Sequence, residues 1–264
     1  MRMIGSTLAR AVDVIELLAD YPDGERLSAI AQRLELPKSA VHRLLAPLCA
    51  SGWAEQDPAT GRYRLSLRFA ALGRRLFDAT GLHEVCQPVL ERLARDSREL
   101  VRLTLAQDGG LGWLCSAQGA PPGLRYEPAM TGPVALHATA NGKAWLATLP
   151  DAEVRRLLRA RGMAALTTRT IVDATALLRD LALVRRRGWA LADEEAEPGV
   201  AAVAVAVGGG ARGGKALGTL SVAGPVVRMP AARRREIAAA LARAAADLRD
   251  CWPRGAVAPV AASA

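Results

Sequence analysis

LSAIAQRLELPKSAVHRLLAPLCASGW, residues 27–53, decides the fold of the first part of this 264-residue chain. Leu27, Ile30, Ala31 and Leu34 recur at i, i+3, i+4 and i+7, and Val41, Leu44, Leu45 and Leu48 repeat the pattern, so two short amphipathic helices are predicted. Glu35, Leu36 and Pro37 leave only a tight turn between them, with Pro37 suited to the first helical position, where its missing N–H costs nothing. At about 100° per residue, Ser39, His42 and Arg43 face away from the side carrying Val41, Leu44 and Leu45. Residues 53–56 and 62–65 are short β-prone runs joined by DPATG, whose Asp57, Pro58 and Gly61 supply turn chemistry. Helix, turn, helix and hairpin in this order predict a winged DNA-binding module, with Arg62 and Arg64 on the wing. Pro47 removes a hydrogen bond inside the second helix and predicts a bend after Arg43, beyond the base-reading end.

Charge placement supports that reading over plain helix packing. Between residues 37 and 75 the basic residues are Lys38, Arg43, Arg62, Arg64, Arg68, Arg74 and Arg75, against only Glu55 and Asp57. The excess therefore sits on the second helix, the wing and the helix that follows, where phosphates would lie. The total of +9 is weaker support, because 32 of the 35 basic residues are Arg, as a GC-rich coding bias alone would give. The expected contacts to double-stranded DNA are Lys38, Ser39, Ala40, His42 and Arg43 from the helix and Arg62 and Arg64 from the wing.

The chain is too long for one such module and predicts a second domain of ordinary size. No run approaches the roughly 18 apolar residues needed to span a bilayer, and MRMIGSTLARAVDVIELLADYP enters an amphipathic helix without a cleavage pattern, so a cytoplasmic protein with no membrane partner is expected. Cys49, Cys86, Cys115 and Cys251 are scattered and form no CxxC pair, and His42, His83 and His137 have no ligand-spaced neighbours, so no metal or other cofactor is expected. Gly208, Gly210 and Gly213 satisfy GxGxxG, but a strand-like run follows where a dinucleotide site needs a helix, so these glycines read as a hairpin loop.

Beyond a linker helix near residues 67–78, helices are predicted over 82–97, 137–149, 151–161, 173–187 and 230–252. Strands are predicted over 101–107, the GLGWLCSAQ run, 125–128, 189–192, 201–207 and 217–223. An α+β fold with an antiparallel sheet flanked by helices follows.

GPVALHATANGKAWLATLP, RDLALVRRRGWALADEEAEPGVAAVAVAV and LGTLSVAGPVVR, with the N-terminal LARAVDVIELLAD and PKSAVHRLLAPLCASGW, resemble the isocitrate lyase regulator (IclR) family of bacterial transcription factors. The resemblance covers about residues 6–252 in order and spacing. It implies an N-terminal winged helix-turn-helix (residues 1–66), a linker helix (67–80), a GAF-like effector-binding domain (81–252) and a disordered tail (253–264). It also implies an operator, a small-molecule effector, and assembly as a homodimer or dimer of dimers.

Carried over position by position, the effector residues are Tyr126, Val134, Ala140, Asn141, Val200, Ala202 and Ser221. A helix start near Ala138–Asn141, with its free N–H groups, suggests a carboxylate guest. Where some relatives carry an Asp, a Cys and a second Ser, this chain has Ala192, Ala202 and Ala223, which tilts the expected ligand toward an aromatic or otherwise hydrophobic carboxylate. His137 reads as a hydrogen-bonded structural residue, Lys143 as a ligand contact or a capping or surface group, and Glu194 and Glu195 as solvated or paired with Arg185–Arg187. The competing reading is an enzyme on a GAF-like scaffold with an accessory nucleic-acid module, which would need a nucleophile, base and orienter in one cleft. No motif supplies that set, and no catalytic residue is expected.

Overall fold

The computed structural model describes residues 6–107, 109–128, 132–208 and 216–252. The chain divides into two units, one ending at Ala79 and the other beginning at Thr80.

The first unit is a helical trio with a small sheet. Its elements are α1 (Thr7–Ala19), β1 (Glu25–Arg26), α2 (Leu27–Arg33), α3 (Lys38–Ala50), β2 (Ala54–Gln56), β3 (Arg62–Leu65) and α4 (Arg68–Ala79). The Ser6 hydroxyl accepts from the Ala9 N–H and starts α1. Val14 and Leu18 of α1, Ile30 and Ala31 of α2, and Val41, Leu44 and Leu45 of α3 close on Tyr63 of the sheet as one core. The residues that alternate at helical spacing in the sequence are therefore the ones that lose water, the term that drives such packing. The turn between α2 and α3 needs a left-handed residue, and Glu35 supplies it at φ 55°. Leu36 N–H then reaches back to the Ala31 carbonyl, which fixes the entry of α3. Pro37 stands one position ahead of the helix, as its N-cap, rather than inside its first turn. α3 continues through Pro47 to Ala50, and the freed end is tied by Ser51, whose hydroxyl donates to the Pro47 carbonyl at 2.6 Å. The three strands pair antiparallel in the order β1-β3-β2.

The second unit holds α5 (Leu82–Ser97), β4 (Leu100–Gln107), β5 (Gly110–Gln118), α6 (Ala140–Leu146), α7 (Asp151–Arg161), α8 (Ala174–Arg187), β6 (Ala190–Asp193), β7 (Val200–Val207), β8 (Gly218–Pro225), a short 3-10 turn and α9 (Ala231–Cys251). Its sheet is antiparallel with strand order β5-β4-β8-β7-β6. The fold is α+β, a winged helix-turn-helix unit and a GAF-like unit with an antiparallel sheet.

Both faces of that sheet are covered, and β7 shows how. From Ala202 to Val207 the residues alternate between alanine and valine. Ala202 and Ala204 face α6 and share a small-residue cluster with Ala140, Ala144, Ala190 and Ala192. The opposite residues, with Val203 in register with Val222 and Val222 with Val101, lie on the side where α5 and α9 pack. Alanines on one face let α6 settle close to the strands. Gly142 serves the same end, since a Cβ there would collide with the Leu136 backbone.

Several predicted elements shift. Residues 125–128 form no strand, and the helix expected over 137–149 is shortened to α6, because residues 136–138 form a turn closed on the Ala135 carbonyl. The tail over 253–264 and the glycines at 210 and 213 lie outside the described residues. All four cysteines are free thiols. Among the described residues no helix is long and apolar enough to cross a membrane.

Candidate functional site

On α3, Lys38, Ser39, His42 and Arg43 are exposed and Ala40 is half-buried, while Val41, Leu44 and Leu45 point into the core. Among the described residues these four polar side chains make no hydrogen bond or ion pair within the chain. No side chain caps the start of the helix either. The first turn of α3 thus presents unpaired donors to whatever lies against it, the arrangement that suits phosphates and base edges.

The wing differs. Arg62 and Arg64 are both exposed on β3, flanking buried Tyr63. Arg62 already donates to the Gly24 carbonyl at 3.1 Å, and Arg64 pairs with Glu55 on the neighbouring strand at 3.2 Å. Both partners of that pair are half-exposed, so the pair is weak and Arg64 can exchange Glu55 for a phosphate. Arg68 is used structurally, with its guanidinium on the Ser51 carbonyl and 4.7 Å over the Trp53 ring.

In the second unit a cavity of about 110 Å³ lies between α6 and the sheet. Ala192, Ala202 and Ala223 form its floor, Val200 and Ala140 add apolar wall, and Arg102, Trp113, Tyr126, Asn141 and Glu197 are among the remaining lining residues. The three alanines sit side by side on β6, β7 and β8, with Ala192 opposite Ala202 and Ala202 opposite Ala223.

The polar groups are not equivalent. Asn141 donates its amide to Thr219 Oγ1 at 2.9 Å, and Thr219 in turn shares a 2.6 Å hydrogen bond with Thr104, so this amide anchors α6 to the sheet. Thr139 caps its own helix, accepting from Gly142 N–H. Arg102 is 7% exposed, its guanidinium 4.0 Å from the Trp113 ring centre and 5.8 Å from that of Tyr126, and its Nε has no hydrogen-bond partner among the described residues. Burial pulls its pKa below the usual guanidinium range, while Tyr126 and Glu197 act against that. Burial likewise pushes the Tyr126 hydroxyl up to about 12, with Arg102 opposing and Glu197 assisting.

The loop between β6 and β7 carries Glu197 and closes one side of the cavity. It is held from below by Lys143 of α6, 1% exposed, whose Nζ lies 2.8 and 3.0 Å from the Glu195 carboxylate and 2.9 Å from Asp180. Thr170 donates to the Glu195 carbonyl and Thr167 to that of Glu194. Burial raises the Glu195 carboxyl above its ordinary value, and Lys143 only partly offsets this.

Of the residues expected around the ligand, the cavity brings together Tyr126, Ala140, Asn141, Val200 and Ala202. Val134 belongs elsewhere, packed in the core of α6, α7 and α8 and lining a different hollow beside His137 and Leu157. Ser221 shares the sheet face but is covered, its hydroxyl donating to the Arg102 carbonyl at 3.4 Å. A carboxylate site at the α6 N-terminus is not supported, because the helix has seven residues and Thr139 fills its cap. Lys143 is neither a surface nor a capping group, and Glu195 pairs with it and not with Arg185–Arg187. Glu194 pairs with Arg169 at 3.2 Å. His137 has its Nε2 on the Ala164 carbonyl at 2.9 Å, a structural contact. Sequence reasoning missed Arg102, Trp113 and Glu197.

Two family models match the chain, the bacterial transcriptional regulator IclR C-terminal domain over residues 75–250 and the IclR helix-turn-helix domain over residues 7–58. Among relatives, the HTH-type transcriptional regulator BhcR of Paracoccus denitrificans is 34% identical over 248 residues, covering 91% of this chain and 85% of its own. The crystal structure of an IclR transcriptional regulator from Alicyclobacillus acidocaldarius matches with a TM-score of 0.80 at 26% identity, over 92% of this chain and 97% of that one. An IclR homologue from Microbacterium hydrocarbonoxydans, solved in complex with 4-hydroxybenzoate, matches with a TM-score of 0.73 at 26% identity, over 93% and 98% of the two chains.

Proposed function

The chain belongs to the IclR family of bacterial transcriptional regulators, and from that premise we propose that its affinity for an operator is set by a small, largely apolar carboxylate bound in the cavity beneath α6. It is a DNA-binding regulator and not an enzyme, as are the families and relatives it matches. The observation that carries the effector reading is the cavity itself, a hollow with an alanine floor and a buried guanidinium whose Nε has no hydrogen-bond partner among the described residues. Binding there changes DNA affinity only if the ligand prefers one of two arrangements of the protein, so the reading requires two such states.

The three alanines favour an apolar body over a polar one. The homologue with 4-hydroxybenzoate supports an acid as the ligand class. The volume, about 110 Å³, favours a compact one.

Operator contacts are assigned to Lys38, Ser39, Ala40, His42 and Arg43 on α3, with Arg62 and Arg64 gripping the backbone. Reading a two-fold site needs two copies, and Leu72 and Leu76, one turn apart and 45% and 67% exposed on α4, offer an apolar seam for a homodimer. The test is selection of duplexes from a random pool by the full-length protein, followed by binding at several salt concentrations. A pseudo-palindromic motif with steep salt dependence is expected. A pool without enrichment, or equal binding of single strands, overturns the reading.

A further inference from the structure

In the second unit buried Lys143 and half-buried Arg228 and Arg234 pair with carboxylates at contact distance, and Arg102 does not. Arg228 grips Glu99 through two contacts at 2.6 and 2.7 Å, Arg234 grips Asp193 at 2.8 and 2.9 Å, and Lys143 sits between Glu195 and Asp180. Arg102, 7% exposed, has no carboxylate at contact distance among the described residues; it is hydrogen-bonded to Tyr126 and attracted by Glu197, and its Nε is left without a partner. A desolvated charge whose nearest carboxylate stands exposed at the cavity mouth is only partly compensated, and an anion entering the cavity would offset the remaining cost.

Three further features point the same way. Arg102 stands on β4, and its side chain lines the cavity beside Trp113 and Tyr126, whose rings fix the guanidinium plane and leave Nε unused. The sheet face next to it is apolar at Ala202 and Ala223, so a bound anion would meet little competing water. Among the described residues of the cavity wall the other charged group is Glu197, which is exposed at the mouth.

We infer that Arg102 is the anion-binding residue of this cavity, pairing side-on with the single carboxylate of the ligand while the ligand's short apolar body lies over Ala192, Ala202 and Ala223. The inference rests on the effector reading above and narrows it. Glu197 disfavours a second carboxylate on the ligand, so the class is short monocarboxylates.

The test uses the full-length protein and its Arg102→Met variant, with acetate, propionate, butyrate, butyramide and succinate as probes in calorimetric titration. One of the three monocarboxylates should bind once per chain, more tightly than succinate or butyramide. Arg102→Met should weaken that probe by roughly thirtyfold, the scale of losing a charge-assisted hydrogen bond. Without ligand the variant should melt close to the parent, since removing a buried charge offsets the lost contacts to Trp113 and Tyr126; an arginine with a purely structural role predicts a lower melting temperature.

Unchanged affinity in Arg102→Met overturns the assignment, as does tighter binding of butyramide or succinate, or binding of no probe. The effector reading is separable. If the bound probe depends on Arg102 yet leaves the affinity for the selected duplex unaltered, the anion site stands and effector control falls. If a neutral or dicarboxylate probe binds and shifts DNA affinity, control stands and the Arg102 assignment falls.

Discussion

Replacing Lys143 by methionine tests the packing logic of the effector unit more sharply than any surface change. The ammonium is 1% exposed, and the side chains of Glu195 and Asp180, 2.8 and 2.9 Å away, are 11% and 21% exposed. Methionine keeps the volume of the stem and removes the charge, leaving two carboxylates facing one another. Breaking a buried pair from one side costs about 3–5 kcal/mol, and with two carboxylates stranded the upper part of that range applies. For a unit of 150–250 residues each kcal/mol moves the midpoint by roughly 2–4 °C, so scanning calorimetry should show a drop on the order of 10–20 °C in one transition.

The pH dependence has a definite sign. The Glu195 carboxyl is already raised above its ordinary 4.5 by burial, so in the folded state its ionised form is penalised, and the contribution of this group falls as pH rises through the folded value. Removing Lys143 raises it further. The loss should therefore be larger at neutral pH than near pH 5, and adding Glu195→Gln to the variant should recover much of it. A midpoint unchanged within a couple of degrees, or a loss indifferent to pH, would refute the reasoning.

Arg43→Ala should remove a base contact worth roughly 1–3 kcal/mol if bidentate to guanine, seen as a relaxed preference at one position of the selected motif. Arg64→Ala should weaken all duplexes alike and flatten the salt slope by about one; a changed base preference in the Arg64 variant with none in the Arg43 variant would reverse the assignments. With a thiol reagent at pH 8, exposed Cys251 should react first. Burial pushes the Cys86 thiol up to about 11 and that of Cys115 up to about 12, so both stay protonated and silent until the protein is denatured. Fast labelling of either in the native protein would contradict the packing of α5 on the sheet.

What the sequence made legible follows from which signals are local. The helical spacing of Val41, Leu44 and Leu45 needs no distant partner to be read, and α5 begins and ends at the residues its apolar pattern marks. The alanines at 192, 202 and 223 drew attention through resemblance, and register on adjacent strands brings them together. Arg102 was hidden because VRLTLAQ alternates, and alternation ordinarily places the charged residue toward solvent. Here α6 covers that face as well, so the outward position is an interior one. Lys143 was misread for a similar reason: its partners lie 37 and 52 positions away, and nothing near residue 143 announces them. The run 125–128 carries a β-prone Tyr126 but has no neighbouring strand to pair with, and its residue is used instead as a cavity wall.

Coupling between the cavity and the operator is measured by one titration. Fluorescence anisotropy of the full-length protein on its selected duplex, repeated at saturating monocarboxylate, should show the DNA dissociation constant change by at least about fivefold, the lower end of ordinary allosteric coupling. The affinity for the acid should change by the same factor when operator is present. A dissociation constant that stays within twofold, with the acid demonstrably bound, would contradict the claim that this protein is an effector-controlled regulator.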